Sequence, residues 1–188
     1  MIVGMIVLAS QSPRRSEILR QAGIPFVARP ANVDETARPG ESPEDYVKRV
    51  ACDKAMAAGA ARGEIVLGAD TVVVIEGEIL GKPGDSADAA RMLGLLAGRE
   101  HQVLTGICLQ RGDEIIIDCA RTRVWFRPLT REEIAEYVAS GEPMDKAGAY
   151  AIQGLASKFI ERIDGSYTNV VGLPTELVQQ ALRKLENA

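Results

Sequence analysis

The sequence predicts an α/β fold in which buried strands alternate with capped helices. Two apolar runs, residues 1–9 and 65–75, have the Ile, Val and Leu content of strands buried on both faces. Helix-start signals, a serine followed by a proline, stand at residues 12–13 and 42–43. The length of 188 residues is sufficient for a substantial core, and no low-complexity tract marks a linker. We therefore expect a single domain over residues 1–188.

Composition and charge limit the classes of function. A net charge of -4 argues against a broad surface for nucleic acid, so any anion site must be local. No run reaches the ~18 apolar residues of a membrane span. Three cysteines without C-x-x-C spacing and a single histidine argue against a His/Cys metal site and for reduced thiols in a cytoplasmic protein. Carboxylates that bind a hard cation remain open.

The first strand and the first helix meet at a turn that suits a phosphate. The apolar run at residues 1–9 lacks the basic leader of a signal peptide, so we interpret it as a buried strand. Two hydroxyls and two guanidiniums crowd the following helix start, at Ser10, Ser12, Arg14 and Arg15. Backbone N–H groups at such a start attract anions. Cationic residues in a first helical turn are unfavourable because they oppose the helix macrodipole. An interpretation in which Arg14 and Arg15 are purely structural must explain this placement, whereas a bound anion explains it directly.

The second helix carries a lysine on its apolar stripe. This helix begins after Ser42, beyond a short strand at residues 24–29 and a loop. Lys54 falls on the stripe, where an inward-facing ammonium needs an anionic partner, whereas one that reaches water needs none. Both interpretations stay open. Glu35, in the loop, matters to a site only if the fold brings it near Asp70.

A single carboxylate interrupts the apolar run at residues 65–75. A bare charge at Asp70 would be costly inside such a strand. Gly68 and Ala69 remove side-chain bulk just before it, which predicts a break or bulge where another group, such as a ligand, approaches the backbone. A hydrogen-bonded aspartate at a strand end is the alternative.

A hairpin turn at residues 76–77 leads to a second candidate lysine. The segment from Gly77 to Lys82 resembles a P-loop only superficially, because it has three intervening residues instead of four and Pro83 where a serine or threonine binds magnesium. We therefore reject a P-loop. Lys82 is expected near Asp70, as its ion-pair partner or as a phosphate ligand.

The remaining elements are expected as a helix, a long hairpin, a helix, a strand and a terminal helix, at residues 86–97, 101–127, 130–141, 157–163 and 174–185. The single histidine, His101, starts the hairpin, where we expect a surface or strand-end role. Small residues at 147–149 and Gly154 indicate close approach of the backbone to another group. Lys146 and Gln153 add a cation and an amide, so this segment is typical of a ligand wall.

Five motifs stand in order along nearly the whole chain. They are Ser10-x-Ser12-Pro13-Arg14-Arg15, Gly68-Ala69-Asp70-Thr71, Gly81-Lys82-Pro83, Asp145-Lys146-Ala147-Gly148-Ala149-Tyr150 with Gln153-Gly154, and Gly165-Ser166-Tyr167-x-Asn169-Val170-Val171-Gly172-Leu173-Pro174. Together they resemble the Maf family of nucleoside triphosphate pyrophosphatases. The resemblance implies a mixed, twisted sheet with flanking helices, two lobes around a deep central cleft as in inosine triphosphate pyrophosphatases, and a homodimer.

The resemblance also implies an activity and its residues. Such enzymes hydrolyse a nucleoside triphosphate to the monophosphate and pyrophosphate with a divalent cation, Mg²⁺ or Mn²⁺. Asp70 matches the family's proton acceptor. Arg14, Thr71 and Gln153 match the positions that choose the base, and these three residue types are those of the branch that acts on dTTP and UTP.

The chemistry of this reaction needs cations on the phosphate oxygens and a base near the α-phosphorus. The expected phosphate ligands are Ser10, Ser12, Arg15, Lys54, Lys82 and Lys146. Asp70 and Glu35 are the expected metal ligands.

Two other functions remain open from the sequence. A non-catalytic nucleotide-binding regulator would use the same cations without a base. A regulator of septum formation, to which the family is historically linked, would act through partners in cell-division arrest beside or instead of nucleotide housecleaning. The acidic balance weakens the nucleic-acid form of the second alternative.

Overall fold

The computed structural model describes residues 4–187 of the chain. The first part of the strand expected at residues 1–9 therefore lies outside the described residues. The chain divides into two compact units. The first comprises the described parts of Met1–Thr71, Thr105–Ala120 and Gly172–Ala188, and the second comprises Val72–Leu104 and Arg121–Val171. None of the helices over residues 4–187 combines the length and the apolar character needed to cross a bilayer.

The secondary structure confirms a mixed α/β architecture. The strands are β1 (Ile6–Leu8), β2 (Phe26–Ala28), β3 (Val66–Ile75), β4 (Glu78–Leu80), β5 (Glu100–Arg111), β6 (Glu114–Phe126) and β7 (Ile160–Asp164). The helices are α1 (Pro13–Gln21), α2 (Pro43–Ala58), α3 (Ser86–Leu96), α4 (Arg131–Ala139), α5 (Tyr167–Val171) and α6 (Thr175–Glu186). Three short 3-10 turns cover Glu142–Asp145, Ala147–Ala149 and Leu155–Phe159. The strand expected at residues 157–163 is therefore a 3-10 turn up to Phe159 and a strand only beyond it.

The strands form one seven-stranded sheet of mixed direction. Its order is β2-β1-β3-β5-β6-β7, with β4 paired to β3. β1 lies parallel to both β2 and β3, whereas β3 with β4 and β6 with β7 are antiparallel. Parallel neighbours need helical crossovers, and α1 and α2 supply them in the first unit.

The helix starts follow the signals in the sequence. Ser12 and Ser42 each accept a backbone N–H from the first turn of α1 and α2, ahead of a proline at the first helical positions. Thr130 and Glu133 form the reciprocal capping box that opens α4. These local signals are therefore sufficient to place three helix starts.

Helix α2 packs on β3 and β5 at two glycines in the first unit. A Cβ added at Gly68 would lie 2.0 Å from the Ala51 carbonyl oxygen, and one added at Gly106 would lie 2.3 Å from the Val47 carbonyl oxygen. The break or bulge expected at Gly68 is wrong, because β3 runs unbroken from Val66 to Ile75. The group that approaches Gly68 is the backbone of α2, so the missing side chain serves helix packing.

The core of the second unit is built around edge-on aromatic rings. His101 is 2% exposed, and its Nε2 lies 2.8 Å from the Tyr150 hydroxyl. Its ring meets those of Phe126 and Tyr150 edge-on, with centroids 5.0 and 5.4 Å away. The surface role considered for His101 is therefore wrong, whereas its place at the start of β5 is confirmed. Desolvation lowers the pKa of His101 to about 3.

The small residues near the 3-10 turns pack against protein groups of the same unit. A Cβ on Gly148, whose φ is +65°, would lie 2.7 Å from Val73 Cγ2. A Cβ on Gly154 would lie 2.1 Å from one carboxylate oxygen of Glu142. The other oxygen of that carboxylate accepts the Leu155 backbone N–H at 3.0 Å. Internal packing thus accounts for both glycines.

We expect Gly106→Ala to unfold far more easily than the wild type. A methyl group there meets the rigid backbone of α2, and overpacking of this kind costs about 3 kcal/mol or more. Gly94→Ala is the matched control, since Gly94 is exposed in α3 with open space around it, and we expect a gain of about 0.5–1 kcal/mol. Urea unfolding measures both, and equal stabilities would contradict the close packing.

His101 gives the free energy of unfolding a defined pH dependence. Its pKa falls from 6.5 to about 3 on folding, so below pH 6.5 the unfolded chain binds a proton that the folded chain does not. The contribution of neutral His101 to the free energy of unfolding is therefore fully present above pH 6.5. It is lost as the pH falls toward 3, by up to ~1.4 kcal/mol per pH unit. His101→Gln should flatten this slope between pH 5 and 6.5. In NMR, the ring signals of this single histidine should not titrate between pH 5 and 8.

Candidate active site

Asp70 lies in the middle of β3 and pairs with a lysine from α2. Its side chain and that of Lys54 are each 10% exposed, and Lys54 Nζ lies 2.7 Å from Asp70 Oδ1. The inward orientation of Lys54, one of two that the sequence left open, is therefore the one observed. This ammonium offsets part of the cost of a carboxylate charge inside an apolar strand.

The same ammonium contacts a second carboxylate from the loop before α2. Lys54 Nζ lies 2.8 Å from Glu35 Oε1, and the Glu35 side chain is half exposed. The fold therefore brings Glu35 near Asp70, which the sequence analysis required for any role of Glu35 in a site. One cation stands between a buried and a solvent-facing carboxylate.

Two residues of α2 hold the Glu35 loop. The Tyr46 hydroxyl donates to the Glu35 backbone carbonyl at 2.8 Å. Arg49 donates to both carboxylate oxygens of Glu41, at 2.6 and 2.8 Å, and to the Thr36 carbonyl at 3.1 Å. Burial, with the nearby charges of Asp70 and Glu35 and against the opposing charge of Arg49, raises the pKa of Tyr46 to about 12.

Arg15 brings a buried guanidinium to the same unit. Its Nη1 donates to Ser10 Oγ at 3.2 Å, its Nη2 to Thr71 Oγ1 at 3.1 Å and its Nε to the Gly172 carbonyl at 2.9 Å. Burial lowers the pKa of Arg15, and the charge of Asp70 acts in the opposite direction. Within residues 4–187, these hydrogen bonds end on uncharged oxygens and use three of the five N–H donors of the side chain.

The start of α1 has the arrangement expected for an anion. Ser12 accepts the Arg15 backbone N–H at 3.4 Å, and the buried Ser10 hydroxyl accepts the Ser12 backbone N–H at 3.2 Å. Ser10 Oγ thus receives two donors, one from backbone and one from guanidinium, and retains its own proton for a further acceptor. Arg14 lies half-buried in the first turn.

Thr71 shares its hydroxyl with the Arg15 network. Its Oγ1 lies 2.9 Å from the Thr105 hydroxyl oxygen and 3.3 Å from the Gly172 carbonyl, in addition to the bond from Arg15. Gly172 has φ near +129°, a backbone conformation that side-chain-bearing residues avoid. A glycine is therefore required to aim this carbonyl at both partners.

Three predicted site residues belong to the second unit. Lys82 and Gln153 are exposed there. Lys146 Nζ donates to the Glu142 carbonyl and to Asp145 Oδ1, each at 2.6 Å. The expected place of Lys82 near Asp70 stays a prediction, as do the phosphate and base roles of these three residues.

Asp70 and Glu35 fit a divalent cation that also binds phosphate oxygens. Their carboxylate oxygens converge on one point, where both contact the Lys54 ammonium. Among residues 4–187 no group of three or more His, Cys, Asp or Glu side chains is arranged to hold a metal. Mg²⁺ commonly takes only one or two protein carboxylates and completes its shell with water and substrate phosphates. The donor set suits that mode.

Sequence reasoning missed the residues that support this cluster. The sequence analysis assigned no role to Tyr46, Arg49 or Thr105. Gly172 belongs to the last of the five motifs, but the sequence analysis assigned it no role. The pairing of a tyrosine and an arginine three residues apart on α2 was the available signal, because such residues share a helix face.

The fold and the chain both have known counterparts. The Staphylococcus aureus Ham1 protein superposes with a TM-score of 0.54 at 18% identity, over 96% of this chain and 98% of that one, which shows a shared fold. A family model described as "Maf-like protein" matches residues 5–185.

Three curated bacterial proteins that are similar to this chain over nearly their whole length carry the name dTTP/UTP pyrophosphatase. The protein from Symbiobacterium thermophilum is 56% identical over 178 residues, which are 94% of this chain and 92% of that one. The protein from Citrifermentans bemidjiense is 53% identical over 181 residues, 95% of this chain and 94% of the other. That from Geobacter sulfurreducens is 52% identical over 185 residues, 97% of each. With the family model matched almost end to end and relatives more than half identical, this chain belongs to the Maf family.

Proposed function

We propose that this chain is a nucleoside triphosphate pyrophosphatase that hydrolyses dTTP and UTP, and modified pyrimidine nucleotides of the same shape, to the monophosphate and pyrophosphate. The observation that carries the proposal is the buried Asp70 carboxylate, held by Lys54 in the unit that also buries the Arg15 guanidinium. The names of the similar proteins from three bacteria support the substrates.

Asp70 is the proton acceptor in this mechanism. A water molecule attacks the α-phosphorus and transfers a proton to the Asp70 carboxylate, while the bond between the α-phosphorus and the bridging oxygen breaks and pyrophosphate leaves. Lys54 fixes the carboxylate through Oδ1, which leaves the other oxygen for the water. General bases contribute about 10²–10⁴-fold to such steps.

The phosphate chain meets cations of two kinds. Arg15 offers a positive charge whose present partners are uncharged oxygens, together with two further N–H donors. Lys54 has a third N–H beyond the two that reach Asp70 and Glu35. Ser10, Ser12, Lys82 and Lys146 complete the proposed phosphate ligands, and helix α1 adds its first-turn N–H groups.

Arg14, Thr71 and Gln153 are the proposed determinants of base choice. Gln153 is exposed and offers both a donor and an acceptor, which suits the edge of a pyrimidine. Thr71 already uses its hydroxyl for Arg15, Thr105 and Gly172. Besides its proposed part in base choice, Thr71 therefore also positions the Arg15 guanidinium.

Asp70 and Glu35 are the proposed ligands of Mg²⁺ or Mn²⁺. When bound, the cation would neutralise charge on the phosphate oxygens. The half-exposed Glu35 carboxylate is the more accessible of the two. Release of Glu35 from Lys54 would free both that carboxylate and a lysine N–H for the incoming nucleotide complex.

We further propose a cytoplasmic homodimer that acts in nucleotide housecleaning and has neither nucleic acid nor membrane as a partner. The net charge of -4 supports the exclusion of nucleic acid, and the three cysteines without C-x-x-C spacing support a reducing compartment. The dimer and a role in cell-division arrest are supported by the family resemblance. The rival function, a non-catalytic regulator of septum formation, gives no reason for a buried carboxylate at residue 70.

We expect Asp70→Asn to keep the fold and to bind dTTP while losing about 10²–10⁴-fold in kcat, because an amide cannot accept the proton from water. The asparagine oxygen still accepts the Lys54 hydrogen bond. Pyrophosphate release measures turnover and calorimetry measures binding. Asp113→Asn, at the exposed turn between β5 and β6, is the matched control and should behave as wild type. Unchanged turnover in Asp70→Asn would refute the catalytic assignment.

A panel of nucleotides should separate catalysis from simple binding. With Mg²⁺ or Mn²⁺ we expect pyrophosphate release from dTTP and UTP at least about tenfold faster than from CTP or purine triphosphates, which a difference of about 1.4 kcal/mol in transition-state binding provides. Chelation should abolish the reaction. Nucleotide binding without pyrophosphate release under any of these conditions would favour the non-catalytic regulator.

A further inference from the structure

Two cysteines of the first unit lie on elements that pack together, Cys52 on α2 and Cys108 on β5. Gly106 of β5 lies directly under the Val47 backbone of α2, so this face of the strand points at the helix. Cys108 follows Gly106 by two residues and therefore points to the same face. Cys52 lies on α2 about 1.4 turns beyond Val47.

Both thiols belong to one apolar cluster. Cys108 is 1% exposed and packs with Ala51, Ala55 and Val66, and Cys52 packs against the same cluster. Cys52 is only half-buried, whereas Cys108 is closed off from solvent. A small reagent thus reaches one thiol and not the other.

The two thiols also influence each other's ionisation. The interaction with the neighbouring thiol lowers the pKa of Cys52 and, with burial, raises the pKa of Cys108. Because both side chains pack in one cluster on neighbouring elements, they are placed to form a disulfide, in which the sulfur atoms lie about 2.05 Å apart. The more exposed thiol is also the more easily ionised one, which is the order that a stepwise oxidation requires.

We propose that Cys52 and Cys108 form a peroxide-responsive thiol pair, in which Cys52 is the reactive thiol and Cys108 resolves it into an intramolecular disulfide. The Cys52 thiolate attacks one peroxide oxygen, the O–O bond breaks, and Cys52 sulfenic acid and water form after proton transfer. Cys108 then attacks the Cys52 sulfur and displaces the hydroxyl as a second water. In total, two thiols lose two electrons and two protons to one peroxide.

The third cysteine provides a reference within the same chain. Cys119 lies on β6, half-buried, with its Sγ 3.6 Å from the Ala120 carbonyl oxygen. It is absent from the cluster that joins Cys52 and Cys108. The proposal does not depend on the pyrophosphatase activity, so either can fail without the other.

Hydrogen peroxide followed by an alkylating agent tests the pair on the reduced full-length protein. Mass spectrometry of the intact chain should show the loss of two hydrogen atoms and one alkylated thiol out of three, at Cys119. A peptide map should contain Cys52 joined to Cys108, and a thiol reductant should restore three alkylated thiols. Titration in glutathione redox buffers should give the same cross-link in the wild type, without any substitution that perturbs folding.

Variants assign the two roles. Cys108→Ala, a small apolar replacement, should allow a sulfenic-acid probe to trap Cys52, whereas Cys52→Ala should leave Cys108 unmodified. Cys119→Ala is the matched control and should form the disulfide as the wild type does. Alkylation of all three thiols after peroxide, over-oxidation of Cys52 with Cys108 still reduced, or a disulfide that includes Cys119 would each overturn the proposal.

Discussion

The ion pair between Lys54 and Asp70 is the constraint on which the rest of the first unit depends. A carboxylate and an ammonium that are each 10% exposed stabilise one another, and removal of Lys54 would leave Asp70 as a buried, unpaired charge at a cost of about 3–5 kcal/mol. Since Lys54 is on α2 and Asp70 on β3, the pair requires the helix to lie close to the strand. Gly68 allows this contact, because any side chain there would overlap the Ala51 carbonyl. Replacement of a buried ion pair by apolar residues of similar volume is often neutral or stabilising in proteins, so the need for stability alone does not explain charges at these positions.

The same close packing extends from β3 to β5 and determines what else α2 can hold. Gly106 allows the Val47 backbone to approach β5 closely. The same helix also carries three sets of side chains with different contacts. Tyr46 and Arg49 support the loop that ends at Glu41, Lys54 contacts two carboxylates, and Cys52 packs against the cluster that contains Cys108. Loss of the glycine contact would therefore disturb all three together. A glycine far from the reacting atoms can thus be as important to the site as a charged residue within it.

The sequence was informative wherever the signal was local. Capping at Ser12, Ser42 and Thr130 depends on neighbouring residues, and the structure has these helix starts where the pattern places them. The motifs likewise identify Asp70 as a candidate and the family to which the chain belongs. Contacts between residues that are distant in the sequence could not be predicted from it. The prediction of a bulge at Gly68 was wrong. Sequence alone cannot distinguish a glycine that makes room for a ligand from one that makes room for the backbone of a packed helix. His101 is buried because Phe126 and Tyr150, distant in sequence, surround it.

The two buried cations of the first unit differ in how their charge is compensated. Lys54 stands between two carboxylates, so the trio carries a net negative charge. Arg15 is bonded to a serine, a threonine and a backbone carbonyl, which satisfy its donors in part without cancelling its charge. An incoming polyphosphate would be repelled by the trio and attracted by Arg15, and a divalent cation would experience the opposite. The proposed substrate is the complex of the two, and such a complex complements both halves of this charge distribution. The arrangement therefore favours a metal–nucleotide complex over either component alone.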